Sequence, residues 1–429
     1  LDLIKKAYLS QNWIKYFPLL FEGLNMNIDF KKLAKEFGTP LYIYDFDKIT
    51  QDYERLKKAF EGQKSLVAYA IKANSNLSVI NHLAKLGSGA DCVSIGEVKR
   101  ALRAGIKPYK IIFSGVGKSN SELKEALELN ILFINVESEA ELKHLESVAK
   151  ELGKVARVSI RVNPNVDPKT HPYISTGLSE NKFGVEIDMA KRMYIYSKNS
   201  EFLDPVGIHF HIGSQLTQLD PIKESAVIVA DLVRSLRAID IDIKFFDVGG
   251  GIGVKYENEE LINLQEYANA IIQATKGLDL TIVCEPGRYL VANAGFLVTK
   301  VLYEKQSSSK RFVIVDGAMN DLLRPSLYKA YHKIEFLGEE KDPKTKADIV
   351  GPICETGDFL AKDIMLPPTK SGDLIVIHSA GAYGFTMSSN YNTRPRVAEV
   401  ACKDGECRLI RQRESFEDLI RLEEKYLKG

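Results

Sequence analysis

From about residue 66 to 285 one hydrophobic pattern recurs along the chain. A short β-branched or aromatic run is followed by a turn, and then by apolar residues near i, i+3 and i+4. The runs predict strands at Leu66–Ala70, Ala90–Val93, Ile111–Phe113, Leu132–Val136, Arg157–Val162, Val206–Ile212, Phe245–Val248 and Thr281–Cys284. Helical periods such as Leu77–Leu86, Ile95–Ala104, Glu122–Leu129 and Ala140–Leu152 fall between them. Strands that alternate with helices pair in parallel through right-handed crossovers. Eight is the number that closes a β/α barrel. An open doubly wound sheet is the competing arrangement.

After about residue 296 the pattern changes. Phe296–Tyr303, Phe312–Val315, Ile349–Gly351, Leu374–Ile377, Val397–Ala401 and Cys407–Arg411 read as strands without long helices between them. Asp404-Gly405 supplies a hairpin turn, since both positions tolerate positive φ. Leu41–Tyr44 is an isolated strand ahead of the barrel pattern and is expected to join this later β module. The fold class is therefore α/β: a (β/α)8 TIM-type barrel plus a C-terminal all-β domain that takes in an N-terminal strand. The expected divisions are 1–46 as a segment contributing to the β domain, 47–290 as the barrel, 291–415 as a β-sandwich or barrel domain, and 416–429 as a C-terminal helix.

The 429 residues are 45% hydrophobic and 27% charged, an ordinary globular composition that excludes disordered, collagenous and coiled-coil chains. Lys plus Arg is 58 against 57 Asp plus Glu, a net charge of +1. That leaves no global basic field for nucleic acid or an anionic membrane. No apolar run reaches the roughly 18 residues that span a bilayer. Tyr16–Phe21 is too short and too proline-broken for a signal sequence, and no catalytic weight falls on the first twenty-five residues. Five cysteines without a C-x-x-C pair argue against a disulfide framework or a zinc knuckle and fit a reducing cytoplasm.

In such a barrel the active site lies at the C-terminal ends of the strands. The polar residues expected there are Lys72, Asp91, Ser114, Gly115, Asn163, His209, His211, Ser214, Asp247 with Gly249–Gly251, and Glu285 with Pro286-Gly287-Arg288. Lys72 reads either as a snorkelling surface lysine or as a desolvated amine of lowered pKa that can form a Schiff base. The glycine run Gly249–Gly253 can offer backbone N–H groups to a phosphate or simply make a tight turn; Val254 excludes the dinucleotide fingerprint. Gly115–Ser119 resembles a nucleotide loop but has Ile112 where the first glycine is required. His209 and His211 lack a third metal ligand in any recognised spacing, so they read as core histidines or as imidazoles against a flat ring. Glu285 reads as a counter-ion for a ring nitrogen or as a partner of Arg288. A lysine, a phosphate loop and a buried acid together describe a pyridoxal phosphate site.

Tyr69–Asn74 (YAIKAN), His209–Gln215 (HFHIGSQ), Asp247–Gly251 (DVGGG) and Glu285–Arg288 (EPGR) resemble the fold-type III pyridoxal-phosphate decarboxylases, relatives of alanine racemase. Met319–Tyr328, Pro352–Asp358 and Ala380–Gly384 are similar to the branch that converts meso-2,6-diaminopimelate to L-lysine and CO2, the last step of lysine biosynthesis. The resemblance runs from about residue 38 to 415. It implies that Lys72 carries pyridoxal 5'-phosphate covalently and that His211 stacks on the ring. It further implies that Ser214, Gly249, Gly250, Gly251 and the Gly287 region hold the phosphate, and that Glu285 pairs with the ring nitrogen. Asp91, Arg288 and Tyr383 are expected at the cofactor. Arg288, Arg324, Tyr328, Glu355 and Tyr383 are expected at the substrate, with Cys354 catalytic. The resemblance also implies a homodimer in which Cys354 and Glu355 reach the site of the other subunit. No metal, nucleic acid or membrane is expected.

Overall fold

The computed structural model describes residues 28–168, 182–339 and 342–427; the Tyr16–Phe21 patch lies outside them. The first described strand, β1 (Leu41–Asp45), precedes the barrel pattern. The barrel strands are β2 (Ser65–Ala70), β3 (Gly89–Cys92), β4 (Ile111–Phe113), β5 (Phe133–Val136), β6 (Ala156–Arg161), β7 (Leu203–His209), β8 (Phe245–Asp247) and β9 (Thr281–Cys284). They close into one barrel, every neighbour parallel, with β2 pairing β9 through Leu66 and Val283. The predicted barrel is the observed one; the open sheet is not.

The intervening helices are started by side chains at their N-termini. Asn76, Ser94, Ser119 and Ser138 each accept a backbone N–H of the helix that follows, supplying one of the donors' missing partners. The helices bury an apolar stripe on the barrel: Val79, Ile80 and Leu83 in one, Leu142, Leu145, Val148 and Ala149 in another. The sixth barrel strand ends three residues sooner than its hydrophobic run suggested. It stops at His209, so His211 lies beyond it and the two histidines do not share a strand face.

The second module is a nine-stranded sheet. Its strands are β10 (Gly295–Gln306), β11 (Arg311–Val315), β12 (Ile334–Phe336), β13 (Thr345–Val350), β14 (Phe359–Leu366), β15 (Leu374–Ile377), β16 (Ala398–Lys403) and β17 (Glu406–Arg411), together with β1. β1 lies antiparallel to β10 and parallel to β16, fully buried at Leu41, Tyr42 and Ile43. The hairpin between β16 and β17 turns on Asp404 at φ 52° and Gly405 at φ 82°, as Asp-Gly predicts. β12 and β14 were not anticipated. Lys362 and Asp363 interrupt the apolar run of β14, and Asp363 sits at φ 54° beside a register shift. A helix is present at Phe416–Ile420.

The cysteine expectation needs correcting. Cys402 and Cys407 face each other across the β16–β17 hairpin and form a disulfide, while Cys92, Cys284 and Cys354 are free. Two cysteines flanking a short hairpin turn become cross-strand partners, which a search for C-x-x-C does not reveal.

The β module packs over the C-terminal mouth of the barrel. Tyr383 donates its N–H to Ala73 O at 2.8 Å, and Asn74 Nδ2 donates to Gly381 O at 3.2 Å. A Cβ on Gly381 would stand 1.8 Å from Val291 O, so only glycine permits this approach.

Candidate active site

Lys72 lies in a single 3-10 turn, Ile71–Ala73, directly after β2. Parallel pairing places Ala70 opposite Asp91 on β3, and Lys72 Nζ reaches Asp91 Oδ2 at 3.1 Å. The lysine side chain is 41% exposed in the mouth and the aspartate 1%. Burial pulls the Lys72 ammonium down, but Asp91, Tyr383 and Glu285 outweigh it, and its pKa stands above the usual lysine value. This reverses the expected lowered pKa: the carboxylates brought in by neighbouring strands decide the sign. Asp91 is itself raised by burial and by Glu285, and its carboxylate accepts from Nζ.

Glu285 follows β9 at the base of the mouth, buried beside His209 and Asp247. Its Oε2 is 3.3 Å from His209 Nε2. The three residues place one ligating atom each within 4.8 Å of one another, a grouping that sequence spacing did not assemble. Burial and the neighbouring Glu285 push the Asp247 carboxyl well above the usual carboxylate value. Burial opposes ionisation of Glu285 too, but His209, Lys72 and Asp247 overcome it and hold Glu285 down to about 2. Asp247 Oδ1 also accepts the Gly249 N–H at 2.9 Å. Glu285 Oε1 is buried with no hydrogen-bond partner, an orphan acceptor of the kind that marks a missing donor.

The glycine run after β8 wraps the ends of β7 and β9. Gly249 and Gly251 take φ values of +66° and +103°, and a Cβ on Gly250 would lie 2.2 Å from Glu285 O. Side chains are excluded there by both dihedral angle and space. His211 Nδ1 accepts the Gly250 N–H at 3.2 Å, so the ring hydrogen is assigned to Nε2. Burial and the nearby Arg161 guanidinium lower its pKa well below the usual histidine value; His211 is a neutral ring. Arg161 is anchored by both oxygens of Glu137, at 3.1 and 3.0 Å.

Gly287 precedes the Arg288–Val291 turn, where a Cβ would crowd Ala73 and Ala70. Arg288 is buried, donating to Tyr256 Oη at 2.8 Å and to Ser214 Oγ at 3.1 Å. Its guanidinium lies 4.9 Å from the Tyr383 ring centre. Arg324, from the Arg324–Tyr328 turn of the β module, is buried 4.6 Å from the Tyr256 ring. Tyr328 lies close enough to act electrostatically on both guanidiniums. Among the described residues neither arginine pairs with a carboxylate.

The structure thus brings together Lys72, Asp91, His211, Ser214, Gly249–Gly251, Glu285, Gly287, Arg288, Arg324, Tyr328 and Tyr383. It does not bring Cys354 and Glu355 to them. Both are exposed; the Cys354 N–H donates to Asn392 Oδ1 at 2.8 Å, and Glu355 accepts from Tyr391 Oη at 2.9 Å. Sequence reasoning missed Tyr256, His332, Arg161 and Glu137. Gly115–Ser119 has a structural role, with Lys118 Nζ buried against Gly115 O, Asn135 O and Glu141. Ser114 Oγ accepts from Asn135, and Asn163 accepts the Asn165 N–H within its own loop.

These residues fit pyridoxal phosphate. There is an amine at the mouth, a buried carboxylate oxygen lacking a donor, a neutral imidazole, and a glycine loop whose conformation admits no side chain.

Residues 46–292 match the family model for the pyridoxal binding domain of pyridoxal-dependent decarboxylases. Diaminopimelate decarboxylase of Campylobacter jejuni is 64% identical over 403 residues, 94% of this chain and all of the relative. That of Helicobacter pylori strain J99 is 58% identical over 405 residues, covering 94% and 99%. The crystal structure of H. pylori diaminopimelate decarboxylase complexed with L-lysine superposes with a TM-score of 0.91 at 58% identity, covering 93% of this chain and all of that one.

Proposed function

The chain belongs to the pyridoxal-dependent decarboxylases, in the diaminopimelate decarboxylase family, and from that premise we propose how its residues divide the work. It is a carboxy-lyase that uses pyridoxal phosphate to convert diaminopimelate to lysine and CO2. The observation that carries the substrate reading is the pair of buried arginines, Arg288 and Arg324, with no carboxylate paired to either among the described residues.

Pyridoxal phosphate, when bound, supplies the electron sink for the carbanion left by loss of CO2. Lys72 would hold the cofactor through Nζ, with Asp91 orienting the amine. Glu285, ionised at every working pH, would be the acid beside the ring nitrogen and would favour its protonated form. At an effective dielectric near 20, an ion pair at 3–4 Å is worth roughly 4–5 kcal/mol before desolvation. His211 would pack on the ring as a neutral imidazole, adding no charge to compete with Glu285. Ser214, Gly249–Gly251 and Gly287 hold the phosphate. Arg288 and Arg324 grip the distal carboxylate with planar forks, assisted by Tyr328 and Tyr383, so the carboxylate to be lost is oriented. Glu355 of the partner subunit receives the distal ammonium. The proton returned to Cα comes from Lys72 Nζ or from Cys354 Sγ of the partner subunit. The enzyme is a homodimer with shared sites, acting on the meso isomer in the last step of lysine biosynthesis. Residues 47–290 form the cofactor-binding unit, and 291–415 with the N-terminal strand form the unit that brings Arg324 to it. A cytoplasmic location is proposed as part of this reading.

Glu285→Gln keeps the shape of the side chain and removes its charge. The expected result is a drop in kcat of about a hundredfold, read by CO2 release. Because Glu285 is held down to about 2, it stays ionised above that pH, and its titration puts no step in the activity between pH 5 and 9. Activity within about twofold of wild type would remove Glu285 from the ring nitrogen. The function itself is tested by incubating cofactor-loaded protein with meso-diaminopimelate. Equimolar CO2 and lysine are expected, and no CO2 would refute the reading.

A further inference from the structure

The distal end of the site poses an electrostatic problem. Arg288 and Arg324 are both buried, and each disfavours the other's charge. A carboxylate side chain could orient them, but it would also neutralise the charge that the substrate is to meet. The structure orients them with uncharged groups instead. Tyr256 stands between the two: its hydroxyl accepts from Arg288 Nη1 at 2.8 Å, and its ring lies 4.6 Å from the Arg324 guanidinium, a favourable cation–π distance. His332 Nε2 is 2.9 Å from Arg324 Nη1, and its Nδ1 is 2.9 Å from His378 O. A carbonyl can only accept, so Nδ1 carries the hydrogen and Nε2 offers its lone pair to Arg324. Burial and Arg324 hold His332 down to about 3, and the ring stays neutral. Its plane meets that of Tyr256 at 79°, with centres 5.6 Å apart, which fixes both rings.

We propose that Tyr256 and His332 are positioning residues for diacid recognition: they aim the guanidiniums of Arg288 and Arg324 while leaving their charge for the distal carboxylate of the substrate. This rests on the diaminopimelate reading given above. Neither residue is required to touch the substrate. His332 acts through Arg324 by one hydrogen bond, and Tyr256 acts through both arginines.

His332→Phe keeps an aromatic ring against Tyr256 and removes the acceptor. KM for meso-diaminopimelate is expected to rise about tenfold to a hundredfold, with kcat changed less than about threefold, the range for a lost hydrogen bond to a charged group. His332→Gln restores an acceptor oxygen and is expected to return KM to within about threefold of wild type. Tyr256→Phe keeps the ring and loses the bond to Arg288, for a KM increase of about threefold to tenfold. The preference for diaminopimelate over ornithine should fall in step with these changes, whereas a purely structural role would lower both substrates together. An unchanged diaminopimelate KM in His332→Phe, or an equal loss on both substrates, overturns the proposal. If His332→Phe does not fold, an unchanged KM in Tyr256→Phe overturns it equally. Wild-type CO2 release in the same assay separates the two levels: a silent wild type sinks the parent reading, and an active wild type with insensitive variants sinks only this one.

Discussion

Mixing inactive Lys72→Ala subunits with inactive Cys354→Ala subunits is expected to restore up to about one quarter of wild-type activity. Each variant alone should lose roughly a hundredfold to ten-thousandfold, the range for removing a group that transfers a proton at the reacting atom. The basis is where the two residues stand. Lys72 is at the barrel mouth against Asp91. Cys354 is a free, exposed thiol of the β module, held through its N–H by Asn392 on the module's own surface. If Cys354 works on the partner's Lys72, random exchange makes about half the dimers mixed, and each mixed dimer carries one intact site of two. Subunit exchange demonstrated by mass, with no recovery, would mean that each site is built within one chain.

Arg324→Leu is expected to remove most of the preference for diaminopimelate over ornithine, which the wild-type protein should show at roughly a hundredfold to a few thousandfold in kcat/KM. The cause is unpaired charge. Arg324 is 6% exposed and held by a neutral imidazole and an aromatic face. A substrate without a distal carboxylate leaves that guanidinium without an anion, and removing one member of a buried pair costs roughly 3–5 kcal/mol. The variant should lose diaminopimelate turnover without gaining ornithine turnover, because ornithine never met the charge favourably. Steady-state kinetics on both substrates provide the check. A variant that retains the wild-type ratio would show that Arg324 does not read the distal group.

Much of this was legible in the chain because strands and helices follow their hydrophobic periods. Leu41–Tyr44 stood out as an unpartnered strand and does lie between β10 and β16. Lys72, Glu285 and Arg288 were visible because residues at the C-terminal ends of barrel strands face one mouth. The distal anchor was less legible. Tyr256 sits in the irregular segment after the glycine run, and His332 just ahead of β12, where no period marks a position as buried. Their role depends on Arg324, which arrives from a different module. The charge state of Lys72, left open between two readings in the sequence, was hidden for a related reason. Burial could be guessed from Tyr69-Ala70-Ile71, but the register that puts Asp91 beside Ala70 is a property of the closed barrel. The Cys402–Cys407 pair was missed because its proximity comes from the hairpin rather than from spacing alone.

A site at this barrel mouth requires Lys72 to be the lysine that carries the cofactor. The direct measurement is to reduce the cofactor-loaded protein with borohydride and map the modified peptide. The visible absorption should disappear, and the reduced pyridoxyl group should be found on Lys72, within the Tyr69–Asn74 peptide segment, and on no other lysine. A pyridoxyl group on a different lysine, with Lys72 unmodified, would contradict the placement of the site at this barrel mouth.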